Sequence, residues 1–497
     1  MERIQRELGR AHRTLSLIYK EISEVIRCSI GSRLPTVRQG GAHSSEENRD
    51  NITLYERRGS ALTDVSRGRG CRLDNNLTNT DKVQELQRKL YLKAKSEDNF
   101  RFYALYDKIY RMDVLKKSWQ RVKTNHGASG IDGKTIKDIE EEGVEDFLKG
   151  IQEELRRKEY RPSPAKRVYI PKPDGGRRPL NIPTVKDRVV QMALKLVIEP
   201  IFEADFEDNS YGYRPKRSAQ QAALEIRKYL NNGLTNVVDA DLEDCFGSIP
   251  HRELLDMIAR RIVDGRVLHL IKLFLKAGVM EEGRVRVDEK GTPQGGVISP
   301  LLANIYLDRI DKGWKSLNKS ARLIRYADDL VILTRYRAEK ALSELQQLTI
   351  RLKLNQKKTR IVDTEKGSFD FLGYSFKKAL NRRKTRRVAY FWPSQKAEKL
   401  IREKIRKITN PARPIKVEEV IKELNPVIRG WVNYFRIANS SKKFGKIRLY
   451  GANRVRKFMR RRRNKSRYGY KEYPDEYLYR RLGLYGDYRL SWTKALR

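Results

Sequence analysis

The spacing of apolar residues separates a patternless N-terminal stretch from a long, regularly patterned remainder. Residues 1–30 predict a short amphipathic helix, whereas residues 31–80 are rich in Gly, Ser, Asn and Arg without periodicity, which indicates a linker or disorder. Beyond this, VQELQRKLYLKAK and FYALYDKIYRMDVLKKSWQRV place apolar residues at helical spacing. After the break GASGIDG, the segment DIEEEGVEDFLKGIQEELRRKEY predicts one charged helix. Residues 81–160 are therefore expected to be helical.

The pattern then changes to short β-like runs separated by helices. AKRVYIPKPDGGRRPLNIP predicts two strands joined by Pro-Asp-Gly-Gly, which is a hairpin signal, and residues 184–204 predict a helix. VVDADLEDCF is typical of a buried strand that ends in acids. ARLIRYADDLVILT predicts strand–turn–strand, with Asp328 and Asp329 at the turn. After about residue 377 the chain is expected to become helical and very basic, so the whole pattern indicates an α+β fold.

The charge balance points to a polyanionic partner. Lys and Arg number 107 against 63 Asp and Glu, which gives a formal net charge of +44 and a pI near 10.1. Such an excess opposes compaction by self-repulsion, and binding to nucleic acid would relieve it. Charge alone leaves open a ribosomal-type or histone-like binder that carries out no chemistry.

Cysteine usage and hydropathy indicate a reducing, aqueous environment. The three cysteines, Cys28, Cys71 and Cys245, contain no C-x-x-C pair and cannot form a disulfide framework. No run of about 18 apolar residues is present, so no membrane span is expected. Glutamates within the first 30 residues argue against an organellar transit peptide. We therefore expect a cytoplasmic protein.

Two acidic strand ends carry the candidate chemistry. Asp241 closes one apolar strand, and Asp328 and Asp329 occupy the turn of another, where an unpaired carboxylate is costly unless a cation binds it. Together they could hold two divalent ions about 3.5–4 Å apart, as in-line phosphoryl transfer requires, and Mg²⁺ suits carboxylate and phosphate oxygens. For an isolated Asp-Asp pair, a solvated turn is the commoner interpretation.

The order of the motifs favours the catalytic interpretation. The chain carries, in sequence, GIDG (130–133), IPKPDGGRRPLNIPTVKDRVVQ (170–191), YGYRPKRSAQQA (211–222), DADLEDCF (239–246), GTPQGGVISPLLANIYLD (291–308), YADD (326–329), FLGYSF (371–376) and IRGWVNYFR (428–436). Together they resemble the ordered motifs of group II intron reverse transcriptases, from about residue 81 to about residue 440.

This resemblance implies a right-hand polymerase with fingers, an antiparallel palm sheet and a helical thumb. The implied divisions are an N-terminal segment (1–80), a helical N-terminal extension (81–160), fingers (161–236), palm (237–377), thumb or maturase domain (378–450) and a basic, Tyr-rich tail (451–497). The tail could be a short DNA-binding module or a strap packed onto the thumb.

The resemblance also assigns the metal site. Asp241, Asp328 and Asp329 become the ligands of two Mg²⁺ ions, with the backbone carbonyl of Leu242 as a further ligand. Phe246 matches the bulky residue that excludes a 2′-hydroxyl and so favours deoxynucleotides. Ordinary core packing is the competing interpretation of Phe246.

Further residues are implied around the nucleotide. Lys172 and Arg178 match residues that clamp the incoming triphosphate, although a solvated basic hairpin would have the same composition. Gln294 would lie beneath the nucleotide and template, and Lys358 would protonate the pyrophosphate leaving group. FLGYSF would form the hairpin that holds the primer end.

The thumb and tail contain the candidate RNA surface. The run Arg460, Arg461, Arg462 and Arg463 predicts an RNA-facing stripe, since phosphate contacts supply affinity. Trp431, Tyr434 and Phe435 share one helix face, and this spacing favours core packing over base stacking.

The function implied by the resemblance is RNA-directed DNA synthesis with dNTPs on an RNA template, combined with maturase binding of intron RNA for splicing and retrohoming. The implied partners are intron RNA, a DNA primer, target DNA and dNTPs, in a bacterial, nucleoid-associated setting. Two alternatives stay open: a polymerase-inactive splicing factor and a host-recruited defence or repair reverse transcriptase. All five histidines precede residue 270 and no cysteine follows Cys245, so we expect no HNH endonuclease.

Overall fold

A computed structural model describes residues 79–171, 176–287, 289–317, 320–335, 337–463 and 469–491. The α+β architecture predicted from the sequence is confirmed, with a helical N-terminal region and mainly antiparallel sheets. In these ranges the buried apolar side chains form two large clusters, the first core and the second core, which lie on opposite faces of the central sheet.

Within residues 79–160, the part of the N-terminal region that the structure describes, the chain forms five helices. They are α1 (Asn79–Ser96), α2 (Tyr106–Ile109), α3 (Met112–Thr124), α4 (Ile136–Glu142) and α5 (Val144–Arg157). Thr135 and Asp138 form a reciprocal capping box that starts α4. Gly143, at φ +111°, ends α4 and begins α5, so the single charged helix predicted from the sequence is wrong: this stretch forms two helices.

The fingers begin with the predicted hairpin. Strands β1 (Ala165–Pro171) and β2 (Arg177–Ile182) pair antiparallel, followed by helices α6 (Val185–Glu203) and α7 (Ala219–Asn231). A later hairpin, β4 (Val279–Glu281) and β5 (Arg284–Arg286), joins the same sheet through a parallel β1–β4 contact. The observed strand order is β2-β1-β4-β5.

The palm is a four-stranded antiparallel sheet with order β6-β7-β3-β8. Its strands are β3 (Asn236–Asp241), β6 (Arg322–Tyr326), β7 (Asp329–Thr334) and β8 (Arg360–Asp363). The intervening helices are α8 (Cys245–Ser248), α9 (His251–Ala259), α10 (Gly265–Lys276), α11 (Ser299–Leu317) and α12 (Ala338–Leu348). Val238 faces the first core and Val237 the second, so both faces of β3 are covered and its register is fixed.

The predicted change to helix after residue 377 comes later than expected. Strands β9 (Phe369–Phe371), β10 (Tyr374–Leu380) and β11 (Arg387–Pro393) form a third sheet, and the FLGYSF hairpin is confirmed as the β9–β10 turn. Alternate side chains of β11 are buried, and this half-buried pattern outweighs the basic composition of the segment. The thumb helices follow as α13 (Gln395–Ile408), α14 (Val417–Phe435) and α15 (Ser441–Arg461).

The Tyr-rich tail packs onto the thumb over residues 469–491. Tyr473, Leu478 and Leu484 are buried in the second core, and Asn425 of α14 donates its Nδ2 to the Gly483 carbonyl at 2.8 Å. The implied boundary at 450/451 falls inside α15, and that at 377/378 falls inside β10, because both elements continue through those positions. None of the described helices is both long enough and apolar enough to cross a membrane.

Candidate active site

Three carboxylates meet at one end of the palm sheet. Asp241 is the last residue of β3 and lies directly opposite Asp329, the first residue of β7, in the antiparallel register. Asp328 precedes Asp329 in the β6–β7 turn, and its backbone oxygen accepts a hydrogen bond from the Leu242 N–H at 3.3 Å. Because apolar side chains fix the register of both strands, the fold itself brings the predicted carboxylates together.

The surroundings of Asp328 and Asp329 disfavour the charged forms of their carboxyl groups. Burial, followed by the charges of Asp328 and Asp241, raises the pKa of Asp329 to about 7. Burial also raises the pKa of Asp328, again with Asp241 as the neighbouring negative charge. Burial and mutual repulsion therefore disfavour the charged forms of Asp328 and Asp329, and a bound multivalent cation would stabilise those charged forms.

Lys358 lies on the same cluster. Its Nζ donates to Asp241 Oδ2 at 2.7 Å, and this hydrogen bond raises the pKa of the lysine. Backbone hydrogen bonds hold the loop that carries Lys358. Asn355 N–H donates to the Asp241 carbonyl at 2.8 Å, and Lys358 N–H donates to the Asn355 carbonyl at 3.1 Å. The ammonium therefore takes the position of a counter-cation on Asp241.

The donor set suits a hard divalent ion. Across the described ranges, no group of three His, Cys, Asp or Glu side chains converges tightly enough to hold an ion as it stands. The chemistry nevertheless fits: three carboxylates and a neighbouring backbone carbonyl are the oxygen ligands that Mg²⁺ prefers.

A buried ion pair that sequence reasoning missed supports the acidic turn. Arg325 is fully buried and donates to both carboxylate oxygens of Asp311, at 2.5–3.1 Å, and to Asn304 Oδ1 at 2.9 Å. It also donates to the Ala327 carbonyl at 3.2 Å, inside the turn itself. An arginine within the apolar strand RLIRY was the available signal, because a buried Arg requires a partner.

The YGYRP loop forms a second unforeseen support. Asn304 Nδ2 donates to the Gly212 carbonyl at 2.8 Å, and a Cβ on Gly212 would lie 2.4 Å from the Ala327 nitrogen. The next residue, Tyr213, is held at φ +58°, which is strained for an aromatic residue. Burial of its hydroxyl and the charge of Asp328 raise the pKa of Tyr213 to about 12. A tyrosine in a strained conformation thus borders the carboxylates.

The GTPQGG loop connects fingers and palm. The Gln294 carbonyl accepts from Asn181 N–H at 2.6 Å, and Gly295 has φ +109° where a Cβ would lie 2.3 Å from the Asn181 oxygen. On the palm side, Thr292 N–H donates to the Phe246 carbonyl at 2.7 Å. The Phe246 side chain is half-buried against the first core, so packing is part of its role, and exclusion of a 2′-hydroxyl stays a prediction.

Of the two residues predicted to clamp the triphosphate, the structure describes Arg178. Arg178 is exposed on β2, paired in register with Ile170, and its charge opposes the rise in the pKa of Asp328, so it lies within electrostatic range of the site. Lys172 lies outside the described residues. Its assignment, like that of Arg178, stays a prediction.

Two of the four arginines in the predicted stripe contact other parts of the protein. Arg460 forms an ion pair with Glu472 at 2.6 Å, and Arg462 donates to the Ile415 carbonyl. Arg461 and Arg463 are exposed on the thumb surface. On α14, the expected core packing is confirmed, since Phe435 is buried and Trp431 and Tyr434 pack against the second core.

Comparison with known families divides the chain at the third sheet. A family described as reverse transcriptase (RNA-dependent DNA polymerase) matches residues 170–376, which contain β2 to β9 and all three carboxylates. The family described as group II intron, maturase-specific domain matches residues 398–474, which cover most of α13, all of α14 and α15, and the start of the tail.

The chain is also similar to individual proteins. Protein YkfC of Escherichia coli (strain K12) is 33% identical over 358 residues, which is 63% of this chain and 93% of that protein. Group II intron-encoded protein LtrA of Lactococcus lactis subsp. cremoris is 39% identical over 213 residues, covering 42% of this chain and 35% of LtrA. An uncharacterized 91 kDa protein in the cob intron of Schizosaccharomyces pombe is 35% identical over 215 residues, covering 41% of this chain and 25% of its own length.

Proposed function

Because this chain belongs to the reverse transcriptases of group II introns, we propose that it copies RNA into DNA with two Mg²⁺ ions held by Asp241, Asp328, Asp329 and the Leu242 carbonyl. Reverse transcriptases as a family use divalent metal ions. The observation that supports the proposal is the direct pairing of Asp241 with Asp329 beside Asp328, in a cluster whose carboxyl pKa values are raised.

The ions would supply charge stabilisation to the attacking and leaving oxygens of the phosphoryl transfer. The protein's own residues bind and orient the substrates around them. Arg178, together with Lys172, binds the triphosphate, and Gln294 supports the nucleotide from the loop that joins fingers and palm. Phe246 restricts the space at the 2′ position of the sugar.

Lys358 has two positions in this scheme. In the structure it neutralises Asp241, with its Nζ 2.7 Å from Oδ2. With a divalent ion held by Asp241, the ammonium would be free to donate a proton to the departing pyrophosphate. The exposure of its side chain, 63%, gives it the freedom for this movement.

The maturase-specific domain gives the chain a second activity, the binding of intron RNA during splicing. We infer that the same RNA brings the polymerase to target DNA in retrohoming, within a bacterial cytoplasm near the nucleoid. Both YkfC and LtrA are bacterial proteins, which supports this setting. The exposed residues Arg461 and Arg463 are the parts of the arginine run available for RNA phosphates.

Primer extension on an RNA template with dNTPs and Mg²⁺ tests the catalytic proposal, with Asp328→Asn as the central variant. Metal-ion catalysis contributes several kcal/mol of stabilisation. Each 1.36 kcal/mol is tenfold in rate, so we expect extension to fall by about 10³-fold or more. The amide keeps the size of the side chain, so a thermal melt should show a folded protein.

Asp363→Asn serves as the matched control, because Asp363 lies at the opposite end of the sheet, paired in register with Asn236. It should extend primers at the wild-type rate. If well-folded wild type fails to extend any primer yet binds intron RNA tightly, the splicing-factor alternative replaces the polymerase. Activity that persists in Asp328→Asn would refute the assignment of this carboxylate.

A further inference from the structure

The turn between β10 and β11 is a second concentration of positive charge, which the functional assignments above do not use. We call residues 381–387, with the sequence NRRKTRR, the basic tip. Every residue of the basic tip after Asn381 is exposed. Its cationic side chains are Arg382, Arg383, Lys384, Arg386 and Arg387.

The basic tip is ordered by its own hydrogen bonds. Asn381 N–H donates to the Arg386 carbonyl, Lys384 N–H donates to the Asn381 carbonyl, and Thr385 N–H donates to Asn381 Oδ1, all at 2.9 Å. Asn381 Nδ2 also donates to Thr385 Oγ1 at 2.9 Å. The cations therefore stand on a pre-organised turn at the end of a hairpin with two seven-residue strands, so binding would cost little ordering entropy.

Most of these cations lack an internal counter-charge. Arg387 pairs with Glu365 at 3.6 Å, and Lys378 at the root of the hairpin uses the same carboxylate at 3.2 Å. Among the described residues, no ion pair or side-chain hydrogen bond is formed by Arg382, Arg383, Lys384 or Arg386. Four closely spaced like charges repel one another, and an external polyanion would relieve this repulsion.

The basic tip lies at the far end of the palm from the carboxylates. Strand β3 runs from Asn236 to Asp241 at the active site, whereas Asn236 pairs with Asp363, two residues before Glu365. Strand β10 spans about 20 Å from the β9–β10 turn to the basic tip, at roughly 3.3 Å per residue. A nucleic acid bound at the basic tip would therefore be held outside the catalytic cleft.

We propose that the basic tip is a docking site for the phosphate backbone of double-helical RNA. The inference rests on the proposed function only in taking RNA as the partner. RNA is favoured because β10 and β11 share the second core with the helices that match the maturase-specific domain. A rigid tip of unpaired cations suits recognition by shape and phosphate contacts, which is how RNA helices are commonly bound.

The test is the salt dependence of binding to a perfectly paired RNA duplex, measured by fluorescence anisotropy for wild type and for R382Q/R383Q/K384Q/R386Q. Each lost phosphate contact lowers the slope of log K against log salt by about 0.9, so the four changes should reduce it by roughly 3–4. The charge-retaining variant R382K/R383K/R386K should keep most of the wild-type slope. All the altered side chains are exposed, so melting temperatures should agree.

Primer extension on a short template that ends inside the cleft separates this proposal from the catalytic one. The four-fold variant should extend at the wild-type rate, because its changes lie far from the carboxylates. An unchanged RNA-binding slope in that variant would overturn the docking site, even if extension is normal. The same loss of slope for duplex DNA but not for duplex RNA would overturn the choice of RNA. If the wild-type protein extends no primer, only the polymerase proposal fails. The docking-site proposal is still decided by the binding assay, which needs no catalysis.

Discussion

Two β-turns of this protein carry opposite charges, and one of them is buried while the other is exposed to solvent. The β6–β7 turn holds Asp328 and Asp329 in a buried setting, where burial and then repulsion between the carboxylates raise their pKa values. The β10–β11 turn carries its cations in water, where salt and solvent weaken the same repulsion. The acidic turn is fixed by a buried ion pair beneath it, whereas the basic tip is fixed by hydrogen bonds within the turn.

The difference indicates how each turn can bind. Buried carboxylates in fixed geometry require a compact ion of matching charge, so their function is lost when one oxygen is lost. Exposed cations form several weak contacts to a long polyanion, so their contribution declines gradually with each residue and with salt. Each of the following predictions tests one side of this contrast.

The largest expected effect comes from removing the support of the acidic turn. Arg325→Met leaves Asp311 charged and buried without its partner, and breaking a buried pair typically costs about 3–5 kcal/mol. Urea unfolding should show a large fall in midpoint. The double variant R325M/D311L, which removes both charges, should recover part of the loss, and a midpoint equal to that of wild type in Arg325→Met would contradict the interpretation.

Salt should separate the two turns. Between 50 and 200 mM KCl, four phosphate contacts account for a roughly 100-fold loss of duplex-RNA affinity. Buried charges are screened far less, so the extension rate at saturating primer–template should change less than about twofold. A matched fall in both quantities would show that the acidic turn is not insulated from solvent.

The pH dependence of stability should report the acidic turn in metal-free protein. Burial raises the pKa of Asp329 from 3.8 to about 7, so the folded state keeps a proton that the unfolded chain has already lost. This group therefore favours folding less and less as pH rises from about 4 to about 7. In EDTA, Asp329→Asn should melt at higher temperature than wild type at pH 8, with little difference at pH 4. The opposite ordering at pH 8 would refute the raised pKa.

The smallest effect is expected at the basic tip. Asn381→Ala removes the two side-chain hydrogen bonds that order the turn but leaves every cation in place. A hydrogen bond contributes about 0.5–1.5 kcal/mol, so duplex-RNA affinity should fall by roughly 2–10-fold. The salt slope should not change. A reduced slope would mean that the alanine variant has displaced the cations as well.

The sequence predicted the parts of the site that depend on strand ends and local motifs. Asp241 and Asp329 could be placed together because each lies at the tip of an apolar strand, and alternation fixes the register. The YADD turn is a local feature and was found for the same reason, whereas the FLGYSF hairpin was expected from the family resemblance.

Contacts between distant residues could not be read from local pattern. The Arg325–Asp311 pair depends on how α11 crosses the sheet, and the pairing of Arg460 with Glu472 depends on how the tail returns along α15. The basic tip was missed because NRRKTRR was taken as the start of a helical, basic region, although it joins two strands. Arginines at 460 and 382 have similar sequence surroundings, and only the fold shows which of them is neutralised.

The second core has a consequence for how the protein is made. It buries Tyr211 from the α6–α7 loop of the fingers together with Leu484 from the tail. Synthesis proceeds at roughly 5–20 residues per second, so one face of the palm sheet stays partly uncovered for tens of seconds until the tail has been synthesised. During that interval an apolar sheet face is open to wrong partners. Production of active enzyme should therefore depend on translation speed and on chaperones more than the stability of the finished fold would suggest.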